Sequence, residues 1–335
     1  MTLHGARHLR VDPEYAGQRV DNFLIRELGK LPKTRIYRMI RSGEVRLDGK
    51  RVQAAHRLAG GEDLRIPPLR SGTVSAGLLQ GHPDTAENNS PLVVHPTVSV
   101  RGTTAPPCIP VVHEDAHWLV VDKPAGLAVH GGSGVHRGVI EWLRQLRPDL
   151  RYLELAHRLD RETSGVLVLA KRRAALLALH RDLRERRVAK TYRAVVAGRV
   201  GGREVVVRAP LQRELGAQGE RIVRVDPEGR EALSRIRALA GGEDPLSGLH
   251  YSLVEVRIET GRTHQIRVHL SHIGHPILGD DRYGDFSLNR RLHAAGLRRM
   301  LLHAAELRLP QASVEGGRLV LRAPMPDAFA AWTGS

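Results

Sequence analysis

Residues 157–171 constrain this chain more than any other stretch. They read His157-Arg158-Leu159-Asp160-Arg161-Glu162-Thr163-Ser164-Gly165, then Val166-Leu167-Val168-Leu169-Ala170-Lys171. The apolar run is long enough for one buried strand, and the Thr-Ser-Gly before it is turn-forming. A turn opening onto a core strand holds rigidly whatever precedes it. Asp160 stands there, close to two arginines. Such an arrangement mounts a carboxylate nucleophile or base, and it equally mounts a structural ion pair. The rest of the chain has to separate these two readings.

Composition narrows the class. The 335 residues suffice for two domains, each with its own core. Lysine and arginine total 52 against 36 acids, a net charge of +16. A protein this basic meets a polyanion, nucleic acid more often than a membrane surface. No apolar run approaches the roughly 20 residues that cross a bilayer, and residues 1–7 lack an apolar signal core. The single Cys108 excludes an internal disulfide framework and a multi-cysteine zinc site. The expectation is a soluble cytoplasmic protein that acts on RNA or DNA and not on membranes.

Residues 1–16 read as a polar leader. From Gln18 a small module follows, with Phe23, Leu24 and Leu28 on one helical face and Gly29 as its stop. A second helix is expected over Arg35–Ser42, ended by Gly43. Val45–Leu47, the Asp48-Gly49 turn and Arg51-Val52 form a hairpin, and Leu64–Ile66 closes the unit. Residues 26–70 hold twelve Lys or Arg against five acids. Arg35, Arg38 and Arg41 recur every three residues and, with Lys33, form a row that can follow a phosphate backbone. Length and element order resemble the S4 RNA-binding fold, so residues 17–70 are expected to bind RNA. Residues 71–107 read as a flexible linker, with thirteen Gly, Pro or Ser among 37 positions.

From residue 108 to about 330, strands dominate without regular strand–helix alternation. That predicts an α+β domain with a mainly antiparallel sheet, alongside the small N-terminal α/β module. Strands are expected at 109–113, 118–121, 166–171, 189–198, 205–207, 222–225, 233–236 and 254–258. Helices are expected at 139–146, 174–187 and 264–273, and residues 241–249 read as an inserted loop. His264, His269, His272 and His275 do not share one helical face and have no cysteine to assist them, which argues against a metal site. Val129–Gly134 lacks the GKS/T ending of a nucleotide triphosphate loop, and Ser164 lacks a G-x-S-x-G elbow. Asp160 and Glu162 lie on one short segment, poorly placed to flank a sugar from opposite sides. What remains is a lone carboxylate, a strand tyrosine (Tyr192) and a basic residue near a helix start (Arg267). As a set they suit chemistry on a nucleoside within RNA.

At these residues the chain resembles the RluA family of RNA pseudouridine synthases. His157–Gly165 resembles its signature, Lys190-Thr191-Tyr192-Arg193-Ala194-Val195 its tyrosine motif, and Gly261–His269 its basic motif. Leu301-Leu302-His303-Ala304 resembles its closing motif, and all four stand in family order. Gly17–Leu24, Arg65–Pro68, Ala128–Gly134, Gly219–Val225 and Gly279–Asp285 resemble the branch acting on large-subunit (23S) ribosomal RNA. The resemblance implies a pseudouridine synthase fold and isomerisation of uridine to pseudouridine without cofactor or metal. It implies Asp160, Tyr192 and Arg267 as catalytic residues, Arg158 as filling the space that the flipped base leaves, Leu302 as a wall of the uracil pocket and His157 as substrate-binding. Tyr192 would stack on the base and is a candidate to assist the final deprotonation. The implied partner is 23S ribosomal RNA or a precursor of the large ribosomal subunit, met by a monomer. A tRNA substrate, or a noncatalytic assembly factor, is the alternative. Whether Asp160 adds covalently or removes the C2′ proton stays open.

Overall fold

The computed structural model describes residues 6–28, 31–69, 107–131, 137–215, 221–244, 248–310 and 317–333. It divides into two compact units, residues 1–95 and 96–335. The stretch read as a linker, the stop at Gly29 and most of the glycine-rich loop after His130 lie outside the described residues. Among the described residues no helix is long and apolar enough to cross a membrane.

The first unit runs β1 (Arg7–Arg10), α1 (Val20–Glu27), α2 (Lys33–Ser42), β2 (Arg46–Leu47), β3 (Lys50–Arg51) and β4 (Asp63–Ile66). Its sheet has the order β1-β4-β2-β3. From Arg7 onward the supposed leader is structural: Arg7 pairs with Ile66 and Arg10 with Asp63. Its polar residues hid a strand because this is a sheet edge with little to bury. Apolar spacing did find the core, where Phe23, Leu24, Ile36, Met39, Leu64 and Ile66 are buried. Asp48 at φ 47° and Gly49 at φ 75° form the left-handed pair that a two-residue hairpin requires. Lys33, Arg38 and Arg41 are exposed along α2, and Arg35 is half-buried.

The second unit is built on one large sheet. Its strands are β5 (Val111–Glu114), β6 (Trp118–Lys123), β7 (Glu154–Leu155), β8 (Ser164–Ala170), β9 (Ala189–Ala197) and β10 (Val205–Arg208). β11 (Leu211–Leu215) and β12 (Arg221–Val225) form a separate hairpin. β13 (Leu233–Glu243), β14 (His250–Ile258), β15 (Leu302–Leu309) and β16 (Leu319–Arg322) complete the set. The main order is β10-β13-β14-β9-β15-β8-β6-β5, with β16 added to β15 and β7 to β8. Among the described strands only β15 and β8 run parallel, joined at His303↔Ser164. Along β9, Ala194 and Val196 face one core and Val195 the other, as period-two alternation demands. The helices are α3 (Val139–Leu146), α4 (Arg173–Arg184), α5 (Gln265–His272) and α6 (Phe286–Ala294). α3 and α5 cover one face of the sheet through Trp142, Leu143, Ile266 and Leu270, and α6 packs in the other core through Leu288 and Leu292.

Two further expectations are corrected here. The supposed insertion at 241–249 begins inside a hairpin, since Gly241, Gly242 and Glu243 extend β13 against Ser252, Tyr251 and His250. β11 and α6 were not anticipated, because charged and exposed residues interrupt their apolar pattern. The outward position Glu255 on β14 is 6% exposed, held by Arg193, Arg237 and Arg257. A buried carboxylate on the nominally polar face is tolerated because it is paired.

Candidate active site

The signature stretch is positioned by β8. β7 pairs Glu154 with Ala170 and Leu155 with Leu169, and the Ala156 amide continues the ladder to the Val168 carbonyl at 3.0 Å. A side chain then replaces the backbone: the Val168 amide donates to His157 Nε2 at 3.0 Å. Burial pulls that imidazole down to about 4, which keeps it a neutral acceptor. His157 was expected to hold substrate. It lines the pocket, but its Nε2 is occupied by the strand.

Leu159 goes into the core beneath α3. Asp160 points into the pocket, and the Thr163 amide closes a turn onto its carbonyl at 3.2 Å. Arg161 leaves the site, its Nε donating to the Gly126 carbonyl at 2.9 Å. The Arg161 carbonyl accepts from Lys123 Nζ at 2.9 Å, and the same ammonium reaches Pro124 O at 2.7 Å and Leu127 O at 2.8 Å. One fully buried amine thus ties the end of β6 to the Asp160 turn. Gly165, at φ 113°, completes the mount: a Cβ there would run into the Ala304 carbonyl of β15.

Tyr192 on β9 and Leu302 at the start of β15 are diagonal neighbours on one face of the sheet, and both line the pocket. Burial first, then the Asp160 charge, raise the Tyr192 phenol, so it carries its proton at physiological pH. The basic motif ends β14 and opens α5. His264 stands before the helix at φ 53°, a left-handed position, and Arg267 follows in the first turn.

Arg267 is 7% exposed, and its Nη1 lies 3.6 Å from Asp160 Oδ2. Its Nε and Nη2 both donate to Asp280 at 2.7 Å. Burial opposes ionisation of Asp280, but Arg267 and the Arg282 and Tyr283 amides outweigh it and hold the carboxyl below its usual range. Asp280 therefore fixes the guanidinium by two bonds and leaves one edge for Asp160. Sequence reasoning linked Arg267 to Asp160 but missed Asp280. The only signal was its place in the Gly279–Asp285 stretch, because no spacing rule ties a loop acid to a helix thirteen residues earlier.

His264 was also missed as a site residue. Its Nε2 lies 3.9 Å from Asp160 Oδ2, and Nδ1 lies 2.7 Å from the Tyr283 hydroxyl. That hydroxyl oxygen accepts from the Val223 amide at 3.1 Å. The tautomer that satisfies all three has Tyr283 O–H donating to Nδ1 and Nε2–H facing Asp160. Burial pulls His264 down to about 4 despite the carboxylate nearby, so the ring is neutral.

The resulting pocket encloses about 730 Å³ and is lined by all six residues expected at the site from the second unit: His157, Arg158, Asp160, Tyr192, Arg267 and Leu302. They come from four distant segments. The histidines that suggested metal ligation have separate uses: His269 bonds Ser234 and the Ala209 carbonyl, and His275 the Ala197 carbonyl.

A mixed sheet carrying an Asp–Arg pair in a pocket of this size, in a chain that also has a separate basic module, fits an enzyme that acts on RNA. Residues 117–272 match the RNA pseudouridylate synthase family and residues 18–64 the S4 domain. The chain is 44% identical to the ribosomal large subunit pseudouridine synthase C of Escherichia coli O157:H7, covering 95% of this chain and 93% of that one. It is 42% identical to the protein of the same name from Vibrio vulnificus, over 95% and 92% of the two chains. This chain belongs to the RNA pseudouridine synthase family. Among solved structures, human RNA pseudouridylate synthase domain containing 1 superposes with a TM-score of 0.57 at 27% identity, over 69% of this chain and 91% of that one.

Proposed function

We propose that this protein isomerises uridines of large-subunit (23S) ribosomal RNA to pseudouridine, with Asp160 as the group that starts the reaction. One observation carries the reading: Asp160 lies 3.6 Å from an arginine that a second carboxylate holds in place, inside a pocket of about 730 Å³. Identity to synthases named for the large ribosomal subunit, along nearly the whole chain, supports the substrate.

The target uridine leaves its stack at a cost of a few kcal/mol. Arg158, exposed at the pocket mouth, takes the vacated space. Asp160 acts on the sugar, and the bond between C1′ and N1 breaks. The detached uracil stays against Tyr192 and Leu302 while it turns, and C5 then bonds to C1′. N1 gains a proton and C5 loses one, so the product is an isomer and no co-reactant is consumed. Arg267 keeps the Asp160 carboxylate oriented throughout. Tyr192 holds its own proton, which suits stacking and makes it a poor base. Lys33, Arg35, Arg38 and Arg41 hold flanking RNA through phosphates. The enzyme works as a cytoplasmic monomer on 23S RNA or its precursor subunit.

The test is tritium release from C5 of labelled large-subunit RNA. Wild-type protein is expected to release it and Asp160→Asn to release none. Release from tRNA alone would refute the substrate, and full activity of Asp160→Asn would refute the mechanism.

A further inference from the structure

Several cations lining the pocket are answered by the protein itself. Arg267 is held by Asp280, Arg186 pairs with Glu231 at 2.7 Å, Arg262 Nε donates to the Glu231 carbonyl at 3.0 Å, and Arg213 donates to Thr263 Oγ1. Arg158 and Arg184 are exposed, where water serves them. Lys190 differs from both groups. It stands two residues before Tyr192 on β9, so the two side chains leave the same face of the strand, and both line the pocket. Among the described residues its ammonium has no hydrogen bond and no ion pair. Burial, reinforced by Arg262, pulls it down to about 8. Nζ lies against the turn that opens the basic motif, 3.7 Å from where a Cβ on Gly261 would be. Asp160 faces Arg267 and His264 instead.

Lys190 is half-buried, and thinning the hydration of an ammonium with no anion beside it costs free energy. A binding site sustains that cost when the ligand supplies the anion. RNA supplies one phosphodiester per nucleotide. A second cation next to the first favours a charged phosphate over a neutral base carbonyl, and Arg262 is that neighbour.

We propose that Lys190, with Arg262 beside it, binds a backbone phosphate flanking the flipped nucleotide. This rests on the reading of the pocket as the seat of a flipped uridine. The two fail separately in one experiment. An rRNA fragment with the mapped target uridine is made with a neutral methylphosphonate at its 5′ or its 3′ linkage. No conversion of the unmodified fragment by wild-type protein would refute the uridine seat and the proposal together. With conversion established, one of the two replacements is expected to raise wild-type KM about 10- to 100-fold, the span of a lost charge-assisted hydrogen bond. Lys190→Gln should raise KM similarly on the unmodified fragment, with kcat within about twofold, and should be insensitive to that replacement. Lys190→Arg should restore most of the binding. If neither linkage affects the wild type, or if both proteins lose the same factor, the phosphate contact is refuted while the uridine seat stands.

Discussion

Lys123, fully buried, and Lys190, half-buried, are two lysines of one sheet that are shifted the same way and that the fold treats differently. Both are pulled down from the ordinary lysine range, to about 7 and about 8. Lys123 gives its three donors to three backbone carbonyls and so joins the β6 end to the Asp160 turn. Lys190 lines the pocket and gives its donors to none of the described residues. The direction of the shift alone therefore does not tell a structural cation from a ligand-binding one. The count of acceptors around the ammonium does.

Lys123→Met offers the sharpest break of this contrast. It strands buried carbonyls, and the expected loss is about 3–5 kcal/mol of unfolding free energy, read in a denaturant titration, with activity falling as the Asp160 turn loosens. Lys190→Met in the same titration should change stability by less than about 1 kcal/mol, since it removes an unpaired charge. Equal losses for the two would erase the distinction.

Asp280→Asn tests whether a satisfied cation near the chemistry behaves as positioning machinery. It leaves Arg267 one good acceptor instead of two, and kcat should drop about 100-fold, the cost of misplacing a group by about 1 Å, with KM moving less. Unchanged kcat in single-turnover assays would mean Arg267 holds its place without Asp280. Tyr283→Phe removes the hydroxyl that sets the His264 tautomer. The expected effect is about tenfold on kcat, and none at all would separate that histidine from the reaction.

The last prediction concerns pH. His157, His264 and His303 are each pulled to about 4 by burial. The unfolded chain binds protons near 6.5 that the folded chain refuses until about 4. Stability is therefore complete above 6.5 and declines as pH falls through that window, with up to three protons taken up on unfolding. Melting between pH 7 and 4.5 checks this, and His157→Gln should flatten the slope by about one proton.

Much of this was legible in the order of residues. The 139–146 helix, the β8 run, the alternating β14 and the Asp48-Gly49 hairpin follow from local spacing, and the observed elements match them closely. β1 and α6 were not legible, because polar edge strands and mixed surface helices lack a sustained apolar period. The extent of β13 was hidden as well, since Gly241 and Gly242 look like loop residues until β14 pairs with them.

At the site, sequence alone determined that Asp160 would stand on a turn ahead of a buried strand, and that Tyr192, Arg267 and Leu302 belonged with it. Tertiary structure alone decided which charges are answered. Asp280 meets Arg267, three carbonyls meet Lys123, and no described group meets Lys190. The physical reason is range. Secondary structure follows contacts a few residues apart, whereas pairing of a buried charge depends on atoms within about 3 Å that separate strands and loops bring together.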